Sequence, residues 1–276
     1  MTHAVIFTRE GLIIRFFYPP KKVCTCFFPF VMASMYLSLT HRERLRAMSC
    51  GLSYNLIWWL SLGMSRQSTR REHDHMMWII ARRVAAGLAA AVRNEAAKDA
   101  EALCASGQCA AALVPLQRAI DFGNTASLAL MAWLIIEGRE GVAKDEKRGF
   151  ELAEEGARLG CHHCQGVVAN CYCWGIGCEE DEARSLELAL ESSRRGSRYG
   201  QFTLGLLHHS GEGGLAVDYA QAVAFYRLAA AQGLDAAQFE LSDMYRYGWG
   251  VARDDNEALR WFMLAAAQRH PNALYW

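Results

Sequence analysis

An excess of charge of either sign is the first thing this sequence lacks. Its 276 residues carry 29 lysines and arginines against 29 aspartates and glutamates. A balanced chain has no general electrostatic attraction for DNA or RNA, and no basic stripe with interleaved aromatics runs through its back half. Acids are scarce at the front. Residues 1–80 contain only Glu10, Glu43, Glu72 and Asp74, beside Arg9, Arg15, Lys21, Lys22, Arg42, Arg44, Arg46, Arg66, Arg70 and Arg71. A long unbroken apolar run is missing as well. Val23 to Leu39 is uncharged over 17 residues, the lower limit for a membrane span, and Pro29 interrupts it. A second uncharged stretch runs from Met48 to Met64 and includes Trp58 and Trp59. Basic residues flank the first run on both sides, so the positive-inside rule assigns no orientation. The run also starts late for a signal peptide, after Pro19 and Pro20, with no small-x-small cleavage site behind it. Two readings of residues 1–75 stand: a hydrophobic, basic extension outside the fold, or a membrane anchor within 23–64. Met48, Met64, Met76 and Met77 would each serve as alternative starts.

Ile79 to Ala105 contains no proline and no turn signal after Gly87. With its many alanines it reads as a leading helix over 76–105, broken at Gly107. Behind it, over 106–276, four copies of one punctuation recur: Gly138 and Gly141 with Asp145, Gly175 and Gly177 with Asp181, Gly211 and Gly213 with Asp218, Gly248 and Gly250 with Asp254. The steps between first glycines are 37, 36 and 37 residues, and Gly123, Gly160, Gly196 and Gly233 keep the same beat. A period of this size signals stacked structural repeats.

The copy from Gly233 to Arg269 shows the unit. Ala237, Leu241, Met244 and Tyr245 share one face of a first helix, and Gly248-Trp249-Gly250 stops it. Asp254 stands at an N-cap or first-turn position, and a second helix follows with Ala258, Trp261, Phe262 and Ala265 inward. Ala237 aligns with Ser127, Cys164 and Gly200; Ala265 aligns with Gly156, Ser192 and Ala229. Size class holds while identity drifts, as at a packed interface. The 36/37 alternation comes from one extra residue in the turns 138–145 and 211–218. Pro115 predicts a short or kinked helix ahead of these copies.

The pattern of leucine, glycine pair, aspartate, alanine and aromatic in AQFELSDMYRYGWGVARDDNEALRWFMLAAAQ, held in register over about 109–275, resembles the Sel1-like repeat, a relative of the tetratricopeptide repeat. Ser242 departs from the usual glycine, and Ile135 and His208 from the usual tyrosine. No polar capping helix precedes the end at Trp276, unlike a typical solenoid. The resemblance implies an all-α right-handed superhelix of antiparallel helix pairs, an α-solenoid whose first helices line a concave side. It also implies a non-enzymatic scaffold with a protein or peptide partner and no cofactor.

On the repeat grid Thr203, His209, Glu240, Asp243 and Arg246 are solvent-facing on first helices, with Trp174, Tyr247 and Trp249 near the turns. These residues are the expected partner-binding surface, because exposed aromatics and arginine concentrate binding energy. No nucleic-acid partner and no small-molecule substrate is implied. Cys161, His162, His163 and Cys164, followed by Cys171 and Cys173, invite a zinc reading and with it a metal-dependent enzyme or zinc module. The grid opposes it. Cys164 takes a buried alanine position, and Cys164 and Cys171 lie two turns apart, about 10 Å along a helix axis. The second helices carry no cysteine to staple a repeat, so the sequence reads as a reduced, intracellular, cytoplasmic protein, with the membrane-tethered adaptor as its alternative. His208-His209 and His162-His163 lack a partner in any triad-like order, and the glycine pairs follow helices instead of strands, which argues against a phosphate loop.

Overall fold

The computed structural model describes residues 70–139 and 141–274. The stretch 23–64, expected as anchor or extension, lies outside them. The chain forms two units, 1–92 and 93–276. The described part of the first is the opening of helix α1 (Arg70–Ala105). The second holds the end of α1 and nine further helices: α2 (Cys109–Asp121), α3 (Thr125–Glu137), α4 (Glu146–Arg158), α5 (His162–Trp174), α6 (Glu182–Arg194), α7 (Arg198–Ser210), α8 (Tyr219–Ala231), α9 (Asp235–Tyr247) and α10 (Asp255–Ala267), with a short 3-10 turn at Pro271–Leu274. No strand occurs among the described residues. None of their helices is long and apolar enough to cross a membrane.

Each pair α3/α4, α5/α6, α7/α8 and α9/α10 is one repeat, and the turn chemistry explains its shape. The first helix ends on a glycine in the left-handed conformation; at Gly248 φ is 73°, and its N–H donates to the Met244 carbonyl. The second helix starts on an aspartate whose carboxylate accepts from the helix's own first-turn N–H groups. Asp145 caps Arg148, Asp181 caps Arg184, Asp218 caps Gln221, and Asp254 caps Asn256 and Glu257, all at 2.9–3.1 Å. The N–H of each aspartate also donates back to the first helix, to the carbonyls of Ile135, Tyr172, His208 and Tyr245. The loop is closed from both ends. The second glycine of the turn has a different duty. A Cβ on Gly250 would collide with the backbone of Tyr219, and one on Gly177 with the Glu146 carbonyl. These turns lie directly on the start of the preceding repeat's second helix.

First and second helices are buried differently. Second helices bury one face, as in α4, where Gly149, Leu152, Ala153 and Gly156 are inside. First helices are buried nearly all round; α3 is buried from Ser127 to Leu134 without a break. They are an inner layer. Between repeats, side-chain sizes compensate. Gly156 meets Cys164, and Gly200 meets Ser192, each leaving no room for a larger group. The next rung places Ala229 and Ala237, both fully buried. A small residue on one helix accommodates a larger one on its neighbour, which keeps the spacing constant at native packing density.

A hydrogen-bond ladder joins the repeats at their far ends. In the last three repeats the residue capping the second helix donates both to the glycine carbonyl at the end of the preceding repeat and to a glutamine on its own repeat's first helix. Arg195 donates to the Gly160 carbonyl at 2.9 Å and to Gln165 Oε1 at 3.2 Å. Gln232 donates to the Gly196 carbonyl at 3.2 Å and Gln201 Oε1 at 2.7 Å, and Gln268 to the Gly233 carbonyl at 3.2 Å and Gln238 Oε1 at 2.9 Å. The equivalent residue one repeat earlier is Leu159, exposed and unable to donate.

Pro115 does not shorten its helix: α2 runs 13 residues, as many as each repeat helix. The carbonyl that proline leaves without a helical donor belongs to Ala111, an exposed residue, where the lost bond costs least.

Candidate functional site

Six of the eight residues expected at a binding surface lie on α7, α9 and the turn after α9: His209, Arg246, Tyr247 and Trp249 at the turn ends, Asp243 one turn in and Glu240 at mid-helix. Helix α9 presents Glu240, Asp243 and Tyr247 on one stripe, since three- and four-residue steps return to the same face. Trp249 follows in the turn. Its ring stacks on Tyr247, with centroids 4.9 Å apart and planes at 29°, and on Tyr219 at the start of α8, 5.9 Å and 20°. His209 of α7 lies 5.6 Å from the Trp249 ring and 5.5 Å from Tyr219. Beneath them Tyr226 of α8 is fully buried, lies over Gly205, and holds its hydroxyl 3.4 Å from His209 Nδ1. The Arg246 guanidinium sits 5.2 Å from the Tyr247 centroid. The ladder stays open to solvent: Tyr219 is 38%, Trp249 39% and Tyr247 52% exposed.

The electrostatics of this surface are lopsided. Burial pushes the Glu240 carboxyl up to about 7, and neighbouring Asp243 pushes it the same way. Asp243 is raised by burial, against the opposing pull of Arg246 and His209. Burial lowers His209, while Asp243 partly offsets that. Tyr226 is raised by burial and then by Glu240. Among the described residues Glu240 forms no ion pair.

Two expected residues fall elsewhere. Thr203 occupies the grid position of Glu240 yet is fully buried, with its hydroxyl donating to the Tyr199 carbonyl at 3.0 Å. The grid reads it as solvent-facing; the structure corrects that, because the inner layer closes over α7. Tyr199 and Phe202 there meet Trp133 of α3 at 5.1 and 5.9 Å, a contact that skips a repeat. Trp174 is half exposed at the end of α5, on a different turn. Tyr219 and Tyr226 escape the sequence reading. Tyr219 carried a signal: the equivalent positions in the other repeats are Glu146, Glu182 and Asp255, so an aromatic there is the exception.

Cys161 and Cys164 share a side-chain hydrogen bond, but the four cysteines of the zinc reading do not converge on one point. Cys161, Cys164 and Cys171 pack into the main core, whereas Cys173 joins Ala169, Ala189, Leu204 and Leu207 in a separate one. Burial pushes Cys171 and Cys173 up to about 12, as expected of small buried hydrophobes. Cys164 packs against Gly156 and donates to the Thr125 carbonyl at 3.5 Å. Among the described residues no three His, Cys, Asp or Glu side chains gather as a metal site requires.

The family model of the Sel1 repeat matches residues 125–161, 163–197, 198–234 and 235–270, over half of the chain. The chain belongs to the Sel1 repeat family. Sel1 repeats generally mediate interactions between proteins. Among curated proteins, chitin synthase regulatory factor 3 of Schizosaccharomyces pombe (strain 972) is 32% identical over 139 residues, 49% of this chain. The match spans only 15% of that relative's length. Among solved structures, a Sel1 repeat protein from Oxalobacter formigenes is 24% identical, with 64% of this chain and 71% of that one covered and a TM-score of 0.41. A Sel1 repeat protein from Klebsiella pneumoniae subsp. pneumoniae is 22% identical, with 66% and 89% covered and a TM-score of 0.45.

Proposed function

We propose that this protein is a non-enzymatic adaptor that holds a protein or peptide partner against the inner-helix side of its Sel1 repeats. The principal contact is the surface of His209, Glu240, Asp243, Arg246, Tyr247 and Trp249, completed by Tyr219. One observation carries the reading. The inner layer is closed by its own side chains around Trp133, Tyr199 and Phe202, while at the last turn a ladder of three rings beside two carboxylates is left open. Rigid, exposed aromatics supply contact area at little entropic cost, and they dominate binding energy where they occur at interfaces.

The test is affinity capture with the full chain and with the Tyr247→Ala/Trp249→Ala double variant. Circular dichroism should show equal helix content, since both rings are exposed. The variant is expected to lose the proteins that the unaltered chain retains. An identical set of retained proteins would remove this surface from the proposal.

A further inference from the structure

The open surface is incomplete in one chemical respect. Glu240 is half-buried beside Asp243, and no cation among the described residues pairs with it. A carboxylate taken out of water without a counter-charge is held at a cost, and a second carboxylate adds to it. Next to this pair stands the ladder Tyr219–Trp249–Tyr247, whose faces carry the negative side of the aromatic quadrupole. Carboxylates and ring faces both attract positive charge, and they follow one stripe of α9, with Tyr247 one turn beyond Asp243 and about 10 Å along the axis beyond Glu240. One guanidinium of the chain already lies at this surface: Arg246 is 5.2 Å from the Tyr247 centroid and acts on Asp243, and it leaves Glu240 without a partner.

We propose that this surface docks a cationic side chain, arginine ahead of lysine, presented by an extended basic segment of the partner protein, with its head against Glu240 and Asp243 and its stem or plane along the Tyr219–Trp249–Tyr247 ladder. This rests on the adaptor reading above and names the chemistry of its partner. Arginine leads because a planar guanidinium stacks on a ring and donates to a carboxylate with two parallel N–H groups, whereas an ammonium does only the second as a point charge. Thr203 at the corresponding place in α7 is buried and uncharged. Val167 and Leu130 at the same place in α5 and α3 are buried and uncharged too, so among the described residues the carboxylate of this element is found on α9 alone.

Eight-residue glycine/serine peptides carrying two arginines, two lysines, two citrullines or two glutamates, each with a fluorescent label, are titrated with the full chain and read by polarisation. The arginine peptide is expected to bind about 10-fold more tightly than its citrulline counterpart, which keeps the shape and lacks the charge. Glu240→Gln and Trp249→Ala should each weaken the arginine peptide by roughly 10-fold, and raising the salt should weaken it further. Tyr247→Ala, at a more exposed ring, provides the same reading if Trp249→Ala loses helix content. Equal binding of arginine and citrulline peptides overturns the inference, as does binding of the arginine peptide that is indifferent to both Glu240→Gln and Trp249→Ala. Trp249-dependent binding of the glutamate peptide overturns the charge assignment and leaves the adaptor reading standing. A captured partner indifferent to Tyr247→Ala and Trp249→Ala removes both.

Discussion

Arg139 and Trp249 hold the same place in the first and last repeats, each directly after the glycine that ends an inner helix. Their fates are opposite. Arg139 is 4% exposed, ion-paired with Asp235 at the start of α9, and its Nη1 lies 3.4 Å from the Arg269 carbonyl. Trp249 is 39% exposed and stands in a ladder of rings. The repeats curl enough to bring the first turn onto the last inner helix, so the early positions face other parts of the same chain. Trp133 on Tyr199 and Phe202 is the apolar half of that closure, and Arg139 on Asp235 is the ionic half. The last turn has no later repeat among the described residues to close over it. A repeat position does not determine what a residue does; the neighbour that reaches it does.

The largest effect is expected on the closed side. Arg139→Ala takes the paired guanidinium from the buried Asp235 carboxylate, leaving Arg198 and His270 as its basic neighbours, and breaking a buried pair in this way costs about 3 kcal/mol. Urea unfolding should show it as a lowered midpoint. Arg139→Met combined with Asp235→Leu removes both charges and keeps apolar volume, and should recover most of the loss. If Arg139→Ala alone is harmless, the closure is not held by this pair and the contrast with Trp249 fails.

A second pair of substitutions separates backbone geometry from packing. Gly233 and Gly250 both have positive φ, 81° and 65°. A Cβ on Gly233 meets nothing within 4 Å, so Gly233→Ala should cost only the left-handed conformation, about 1–2 kcal/mol. On Gly250 it strikes the Tyr219 backbone, which cannot rotate away. Gly250→Ala should therefore lose roughly 3 kcal/mol, and it should also displace Tyr219 from Trp249 and weaken peptide binding. Equal midpoints for the two variants would show that the turn does not rest on α8.

These contrasts mark what could be read in advance. The turns were legible because each of their needs has a narrow chemical answer: glycine for a left-handed cap and a close approach, aspartate for an N-cap. Core cysteines were legible because the grid fixed their faces. Thr203 was misread because a grid supplies a face and not the element that covers it. Arg139 and Asp235 were invisible as a pair, since they lie three repeats apart and a charged residue in a loop reads as solvated. Pro115 was expected to shorten or kink α2; the helix keeps its 13 residues, and the carbonyl the proline strands belongs to Ala111, an exposed residue.

On the open side, Glu240 gives a pH signature. Its folded value of about 7 stands above the ordinary value of 4.5. The unfolded chain therefore loses that proton first. Between pH 4.5 and 7 the group subtracts progressively from stability, and above 7 the loss is constant. Glu240→Gln should stabilise the chain above pH 7, by roughly 2 kcal/mol, and have little effect below pH 4.5. A cationic ligand favours the carboxylate, so arginine-peptide binding should strengthen as pH rises from 5.5 to 8, and Glu240→Gln should flatten that rise. Asp243, which faces the same spot and is itself raised, adds in the same direction. Stability profiles of the two proteins that run parallel across this range would contradict the assignment.

The smallest effect concerns the ladder that both sides share. Gln268 joins the last repeat to its neighbour through the Gly233 carbonyl and ties its own two helices together through Gln238 Oε1. Its side chain is partly wet, so Gln268→Ala should cost only about 1 kcal/mol, the net worth of ordinary hydrogen bonds exchanged with water. The converse substitution is Leu159→Gln at the rung the chain lacks. The Gly123 carbonyl provides one acceptor there, but the second position is Leu128, which is apolar and buried. With one bond to gain instead of two, and an exposed leucine given up, the expected change is a stabilisation of no more than about 0.5 kcal/mol. Adding Leu128→Gln should not double it, because Leu128 belongs to the main core and its loss there outweighs a surface hydrogen bond. The closed side of the molecule is set by what it buries, and a rung that works between Gln232 and Gln201 cannot be copied to a repeat whose matching residue is already committed to the core.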